Sequence, residues 1–131
     1  SAMVEVEDEE GTTLALSGDL GNTPSPLLPD TEKVEADVVL MESVYGDRVH
    51  EHVDDRVKVL KEVLRKGIER GGAIMIPAFS IERTQLMLYE LSNFFEEGSL
   101  PKVPVFLDSP LAITVTDVYR KWAGEYFKKN A

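Results

Sequence analysis

Gly71-Gly72-Ala73-Ile74-Met75-Ile76-Pro77-Ala78-Phe79-Ser80 is the stretch whose reading decides the fold. The glycine pair suits the end of a preceding helix, because glycine takes the left-handed backbone that terminates one. Ala73 to Ile76 is a continuous apolar run, the pattern of a strand buried on both faces. Pro77-Ala78-Phe79 leaves that strand, and Ser80 stands where it can cap the next helix. Upstream, Val53, Val57, Leu60, Leu64 and Ile68 form one helical stripe, with Lys58, Lys61, Glu62, Arg65 and Lys66 outside it. Before that stripe, Val38-Val39-Leu40-Met41 is a second apolar run, read as a strand covered on both faces, with Glu42 at its carboxyl end. Downstream, Ile81, Leu88, Leu91 and Phe95 mark a helix that Gly98 ends. Val103 to Leu107 is a third strand, leading to Asp108-Ser109-Pro110, and Val115, Val118, Trp122 and Tyr126 mark a last helix.

The spacing predicts strands near 38–42, 73–77 and 103–107, with helices near 52–70, 80–97 and 111–128. Alternation of this kind implies parallel strands with right-handed crossovers, a three-layer α/β sandwich. Toward the amino end, Val4-Glu5-Val6-Glu7 alternates with period two, Glu9-Glu10-Gly11-Thr12 supplies a turn, and Thr13 to Ser17 returns, so residues 3–18 read as a hairpin. The acidic run Glu7 to Glu10 is a solvated tip. Asn22 to Glu35 holds Pro24, Pro26 and Pro29 and reads as a loop.

The chain has 131 residues, 43% of them hydrophobic and 29% charged, within the range of one domain and able to bury a core. The formal charge of −10 opposes a free-standing nucleic-acid binder, which carries a basic face; it leaves room for RNA in one local groove. No apolar run approaches the roughly 20 residues of a membrane span, and no basic segment leads into one, so neither a span nor a signal peptide is expected. The absence of cysteine excludes disulfides and thiolate metal sites and fits a reducing, cytoplasmic setting.

In open α/β sheets, ligands gather at the carboxyl ends of strands. Four such ends carry polar residues here: Asp19, Glu42, the turn from Pro77 to Ser80, and Asp108-Ser109. Asp19 stands between Gly18 and Leu20-Gly21, on a backbone free to turn sharply toward a ligand, and a carboxylate there can hold a cation. Equally, Asp and Ser are the ordinary residues of loops and helix caps. A hydrolytic zinc takes about three protein ligands, mostly His. The chain offers only His50 and His52. Their spacing of two shares a face only on a strand, whereas the segment opens a helix, so a metal role is disfavoured and a phosphate-facing role for His50 fits better.

Ser17-Gly18-Asp19-Leu20-Gly21, Glu42-Ser43-Val44-Tyr45-Gly46-Asp47, the run Ile76-Pro77-Ala78-Phe79-Ser80-Ile81-Glu82-Arg83-Thr84-Gln85, and Phe106-Leu107-Asp108-Ser109-Pro110-Leu111-Ala112 occur in that order. Together they resemble the β-CASP branch of the metallo-β-lactamase superfamily, metal-dependent nucleases of RNA processing. The resemblance implies part of a metallo-β-lactamase αββα sandwich over residues 1–48. It implies part of a Rossmann-like β-CASP domain, with parallel strands and flanking helices, over 49–131. It makes Asp19 the metal ligand that bridges two zinc ions. It makes Glu42 the acidic catalytic residue that pairs with a His. It leaves the other ligands outside this stretch, so the chain reads as an interior fragment that binds no zinc tightly and hydrolyses no RNA alone. For the parent enzyme it implies a metal-activated water that attacks an RNA phosphodiester.

Ser80, Arg83, Asp108, Ser109 and His50 are the candidate substrate contacts; Arg83 has the alternative of pairing with Glu42 or Glu82. The exposed edges of an incomplete sheet imply pairing with a second copy through residues 1–45. Two competing readings remain. One is a non-catalytic scaffold of the same family. The other is a flavodoxin-like domain, which needs a glycine-rich phosphate loop after a strand, whereas Gly71-Gly72 precede one.

Overall fold

The alternation over Val4–Glu7 and Thr13–Leu16 produces the expected hairpin. Strand β1 (Val4–Glu7) runs antiparallel to β2 (Thr13–Leu16), with Val4 opposite Leu16 and Glu7 opposite Thr13. The computed structural model describes residues 2–21, 24–49 and 53–127, so His50 and His52 lie outside the described residues. Asp8 closes the hairpin turn: its Oδ1 accepts from the Glu10 and Thr12 amides at 2.9 and 2.8 Å. Gly11, at φ 84°, takes the left-handed step the turn needs. A third strand, β3 (Val38–Leu40), joins parallel to β2, with Leu14 opposite Val38 and Leu16 opposite Leu40. The sheet order is β1-β2-β3.

Thr13 and Asp37 fasten the entry of β2 to that of β3. Asp37 Oδ2 accepts from the Thr13 amide and hydroxyl, both at 2.9 Å, while the Asp37 amide donates to Thr13 Oγ1 at 3.0 Å. β3 is shorter than the expected 38–42, and its residues are exposed, not covered on both faces; Met41 beyond it is 66% exposed. The run is apolar enough for a buried strand, but no described element covers either of its faces.

The described residues divide into two compact units, one within residues 1–49 and one within 50–129. The second holds helices α1 (Val53–Arg70), α2 (Arg83–Glu96) and α3 (Pro110–Tyr126). Leu64 of α1 packs with Leu91 and Phe94 of α2 and with Leu100, flanked by Val57, Leu60, Met87 and Phe95. Each fully buried Leu or Phe contributes roughly 1.5–3 kcal/mol. Val57, Leu60 and Leu64 of the stripe expected for α1 and Leu91 and Phe95 of the one expected for α2 supply this core together with Phe94, Met87 and Leu100, whereas Ile81 precedes α2 and is exposed and Leu88 is not part of the cluster. Gly71 and Gly98, at φ 69° and 68°, end α1 and α2 as expected.

Three expectations are corrected in this unit. Residues 73–77 and 103–107 are not strands: the parallel sheet expected there is missing among the described residues. An apolar extended run becomes a strand only when a neighbour completes its ladder of hydrogen bonds, and no described segment does so. Ile74 sits so close to Gly67 of α1 that a Cβ on Gly67 would meet Ile74 Cδ1 at 2.7 Å. The outward-facing Met75 and Phe106 are 90% and 87% exposed. Secondly, α2 begins at Arg83, not near residue 80. Thirdly, α3 buries Ala112 rather than the Val118–Trp122–Tyr126 stripe, which stays exposed. Small Ala112 is buried, whereas in the bulky stripe Trp122 meets Tyr126 edge to face at 6.0 Å and lies under Lys121 Nζ at 5.1 Å, all on the surface.

Candidate functional site

In the first unit, the candidate carboxylates gather at one sheet edge. β2 and β3 are parallel and end opposite each other, so Asp19, three residues past Leu16, and Glu42, two past Leu40, leave the sheet at the same edge. Ser17 joins them. Its amide donates to the Leu40 carbonyl at 3.0 Å, continuing the parallel pairing by one step. Its hydroxyl accepts from the Glu42 amide at 3.1 Å and donates to the Gly18 carbonyl at 2.7 Å. Glu42 is held a second time, through Oε2, by the Val44 amide at 3.0 Å. Its backbone and one carboxylate oxygen are therefore fixed, while the side chain stays half-exposed. Asp19 is exposed. A Gly18 φ of 56° turns the chain just ahead of it.

Ser17 is the residue that sequence reasoning missed. The signal was available: Ser17 stands two residues after Ala15, and both are buried, at 7% and 5% exposure. A hydroxyl in phase with the buried face of a strand must find partners there.

The other candidates lie in the second unit, which is described by itself. Ser80 does not cap α2. Its carbonyl accepts from Gln85 Nε2 at 3.0 Å, and the same Nε2 donates to Thr116 Oγ1 on α3 at 3.0 Å. Thr84 binds the Phe79 carbonyl twice, through its amide at 3.2 Å and its hydroxyl at 2.8 Å. The residue before α2 is Glu82, at φ 63° and ψ −59°, bridged by an Arg83 amide to Ile81 carbonyl bond of 2.8 Å. This is a γ-turn of the rare, strained hand. Burial, and next the Glu82 carboxylate, push the Tyr119 hydroxyl of α3 upward. Arg83 is exposed and makes no ion pair with its neighbour Glu82. Ser109 is the cap of α3: Oγ accepts from the Ala112 amide at 3.2 Å, and Pro110 fills the first helical position. Asp108, just before it, is exposed. Gln85 and Thr84 were also not singled out in the sequence; a buried Gln at a helix start has no composition signal of its own.

Among the described residues, no three His, Cys, Asp or Glu side chains converge as a metal cage. A zinc site takes about three protein donors. Asp19 can be one of them, and the described residues do not complete the set.

Residues 84–131 match the Beta-Casp domain. Ribonuclease TTHA0252 of Thermus thermophilus is 43% identical over 126 residues, 95% of this chain and 28% of that protein. The chain belongs to the β-CASP family of RNA-processing nucleases within the metallo-β-lactamase superfamily. An RNase J-like protein of Methanocaldococcus jannaschii is 34% identical over 86% of the chain. Cleavage and polyadenylation specificity factor 73 of Drosophila melanogaster is 31% identical over 68%. This β-CASP chain spans 28% of the length of the first two relatives. The family is one of metal users. No helix among the described residues is long and apolar enough to cross a membrane.

Proposed function

We propose that this β-CASP chain works as part of a longer, metal-dependent ribonuclease that hydrolyses RNA phosphodiesters in the cytoplasm. Its first unit is then a portion of the metallo-β-lactamase domain and its second a portion of the β-CASP domain. The observation that carries this is the similarity to a protein named as a ribonuclease, which runs through both units. The parallel ends of β2 and β3 support it, because they deliver Asp19 and Glu42 to one edge.

In this reading Asp19 offers one carboxylate to a zinc centre whose other donors come from beyond the described residues. The bound metal supplies an activated water. Glu42, with its amide and Oε2 already held, presents a carboxylate of fixed direction that orients a catalytic imidazole from elsewhere in the protein. Ser80, Arg83, Asp108, Ser109 and His50 remain candidate RNA contacts. Of these, exposed Arg83 has the chemistry for a phosphate. A non-catalytic scaffold of the same family is the second reading.

Labelled RNA incubated with the protein expressed from its native gene decides between them. The ribonuclease reading expects metal-dependent cleavage that falls by about two orders of magnitude in Asp19→Ala and by about tenfold or more in Glu42→Gln. RNA left intact by the wild-type protein loaded with zinc or manganese would leave the scaffold.

A further inference from the structure

We infer that Ser17 is a positioning residue for the catalytic edge: its hydroxyl sets the Asp19 loop and the Glu42 strand end in fixed relation to each other. The inference rests on the ribonuclease reading for its effect on rate, and on geometry alone for the coupling. Three hydrogen bonds meet at this one residue. The Ser17 amide donates to the Leu40 carbonyl at 3.0 Å, two residues before Glu42. The hydroxyl oxygen accepts from the Glu42 amide at 3.1 Å, and the hydroxyl proton goes to the Gly18 carbonyl at 2.7 Å.

The direction of the last two bonds matters. A hydroxyl carries one proton. Donation to Gly18 leaves the oxygen lone pairs for the Glu42 amide, so the two bonds require the same rotamer and reinforce each other. The Gly18 carbonyl belongs to the peptide that precedes Asp19. Moving Ser17 Oγ therefore moves the start of the Asp19 loop and the Glu42 backbone together. Ser17 is 7% exposed, so water does not readily replace a lost hydroxyl.

Alanine keeps the backbone bond to Leu40 and the strand itself but deletes the bridge. Threonine keeps the hydroxyl and adds one methyl. The variants are Ser17→Ala and Ser17→Thr, in the protein expressed from its native gene. Two measurements are made on each: hydrogen–deuterium exchange resolved to single amides, and steady-state RNA cleavage. In Ser17→Ala, exchange at the Glu42 amide should quicken about tenfold while Ala15 and Leu16 in β2 stay protected, and kcat should fall about tenfold with KM within about twofold. Ser17→Thr should restore both.

Unchanged exchange at Glu42 in Ser17→Ala would overturn the inference. So would equal loss of protection throughout β2 and β3, because the hydroxyl would then hold the sheet rather than the edge. A fall in kcat that threonine fails to rescue would also overturn it. If the wild-type protein cleaves no RNA, the ribonuclease reading fails alone, and the exchange comparison still decides whether Ser17 couples the two segments.

Discussion

Glu82 is the one described non-glycine residue with a positive φ, and its conformation is imposed from both sides. Thr84 holds the Phe79 carbonyl, and Gln85 holds the Ser80 carbonyl, so the chain must reverse within one residue before α2 starts. A non-glycine residue in such a region costs of order 1–3 kcal/mol. Glu82→Gly should therefore stabilise the protein by about 1 kcal/mol, after allowance for the freedom glycine gains in the unfolded chain. Urea denaturation of the two forms checks this; a less stable glycine variant would mean that the Glu82 side chain contributes more than its backbone costs.

Asp37 gives a second residue-scale prediction. The Thr13 amide, and next the Thr13 hydroxyl, hold its carboxyl below the usual carboxylate range. A group with a lower pKa folded than unfolded binds fewer protons in the folded state. Its stabilisation is present above the unfolded value of about 3.9 and is lost as pH falls through the folded one. Asp8, held low first by the Thr12 amide, acts in the same sense. Stability measured between about pH 5 and pH 2 should fall with acid. Asp37→Asn should flatten that fall and lower the plateau; an unaltered slope in the variant would show that the Thr13–Asp37 clamp is not part of the acid response.

Among the elements, α3 has the clearest start, with Ser109 as cap and Pro110 next. Ser109→Ala should cost about 1 kcal/mol, and Ser109→Asp should retain most of the stability, since a carboxylate accepts from the same amide and suits the positive end of the helix. Thermal unfolding of the three forms tests this, and equal midpoints for serine and alanine would assign the start of α3 to Pro110 alone. Elements of this kind were legible in the sequence because their causes are local. The hairpin, the stripes of α1 and α2, the glycine stops and the Ser109 cap each follow from residues within a few positions of one another. Residues 73–77 and 103–107 were misread because apolar content specifies only a preference for extension, and a strand also needs a neighbour to pair with. Ser80 was misread as a cap because the Thr84 and Gln85 side chains, invisible to periodicity, compete for the turn before α2. At the candidate site, Asp19 and Glu42 stood out as carboxylates at strand ends. Ser17, which ties their segments, did not, since a serine beside a glycine ordinarily signals only a loop.

At the scale of the whole molecule, exposed apolar surface is the dominant fact. Met75, Phe79 and Phe106 are each at least 80% exposed, and Val38 to Met41, Trp122 and Tyr126 are exposed as well. Surface of this extent marks interaction faces. The edge of β3 adds unpaired backbone groups that can take up a further strand. The 131-residue chain on its own should therefore self-associate as its concentration rises, despite a net charge of −10. Sedimentation velocity over a range of concentration and salt checks this, with association strengthening as salt screens the charge repulsion. A monomer at every concentration would show that these faces are less adhesive than their composition implies.

The parallel placement of β3 beside β2 also sets an order of events. The β1–β2 turn joins neighbours in sequence, so it can close within microseconds. β3 must wait for the proline-containing segment from 17 to 37 to bring its ends together, a larger loss of chain entropy. X-Pro bonds at Pro24, Pro26 and Pro29 each sample two isomers in the unfolded chain and exchange over tens of seconds. A newly made chain thus holds Asp19 on a formed hairpin well before Glu42 arrives. The edge is completed by the slowest step of its own unit, so the two carboxylates meet only after the segment between them has closed.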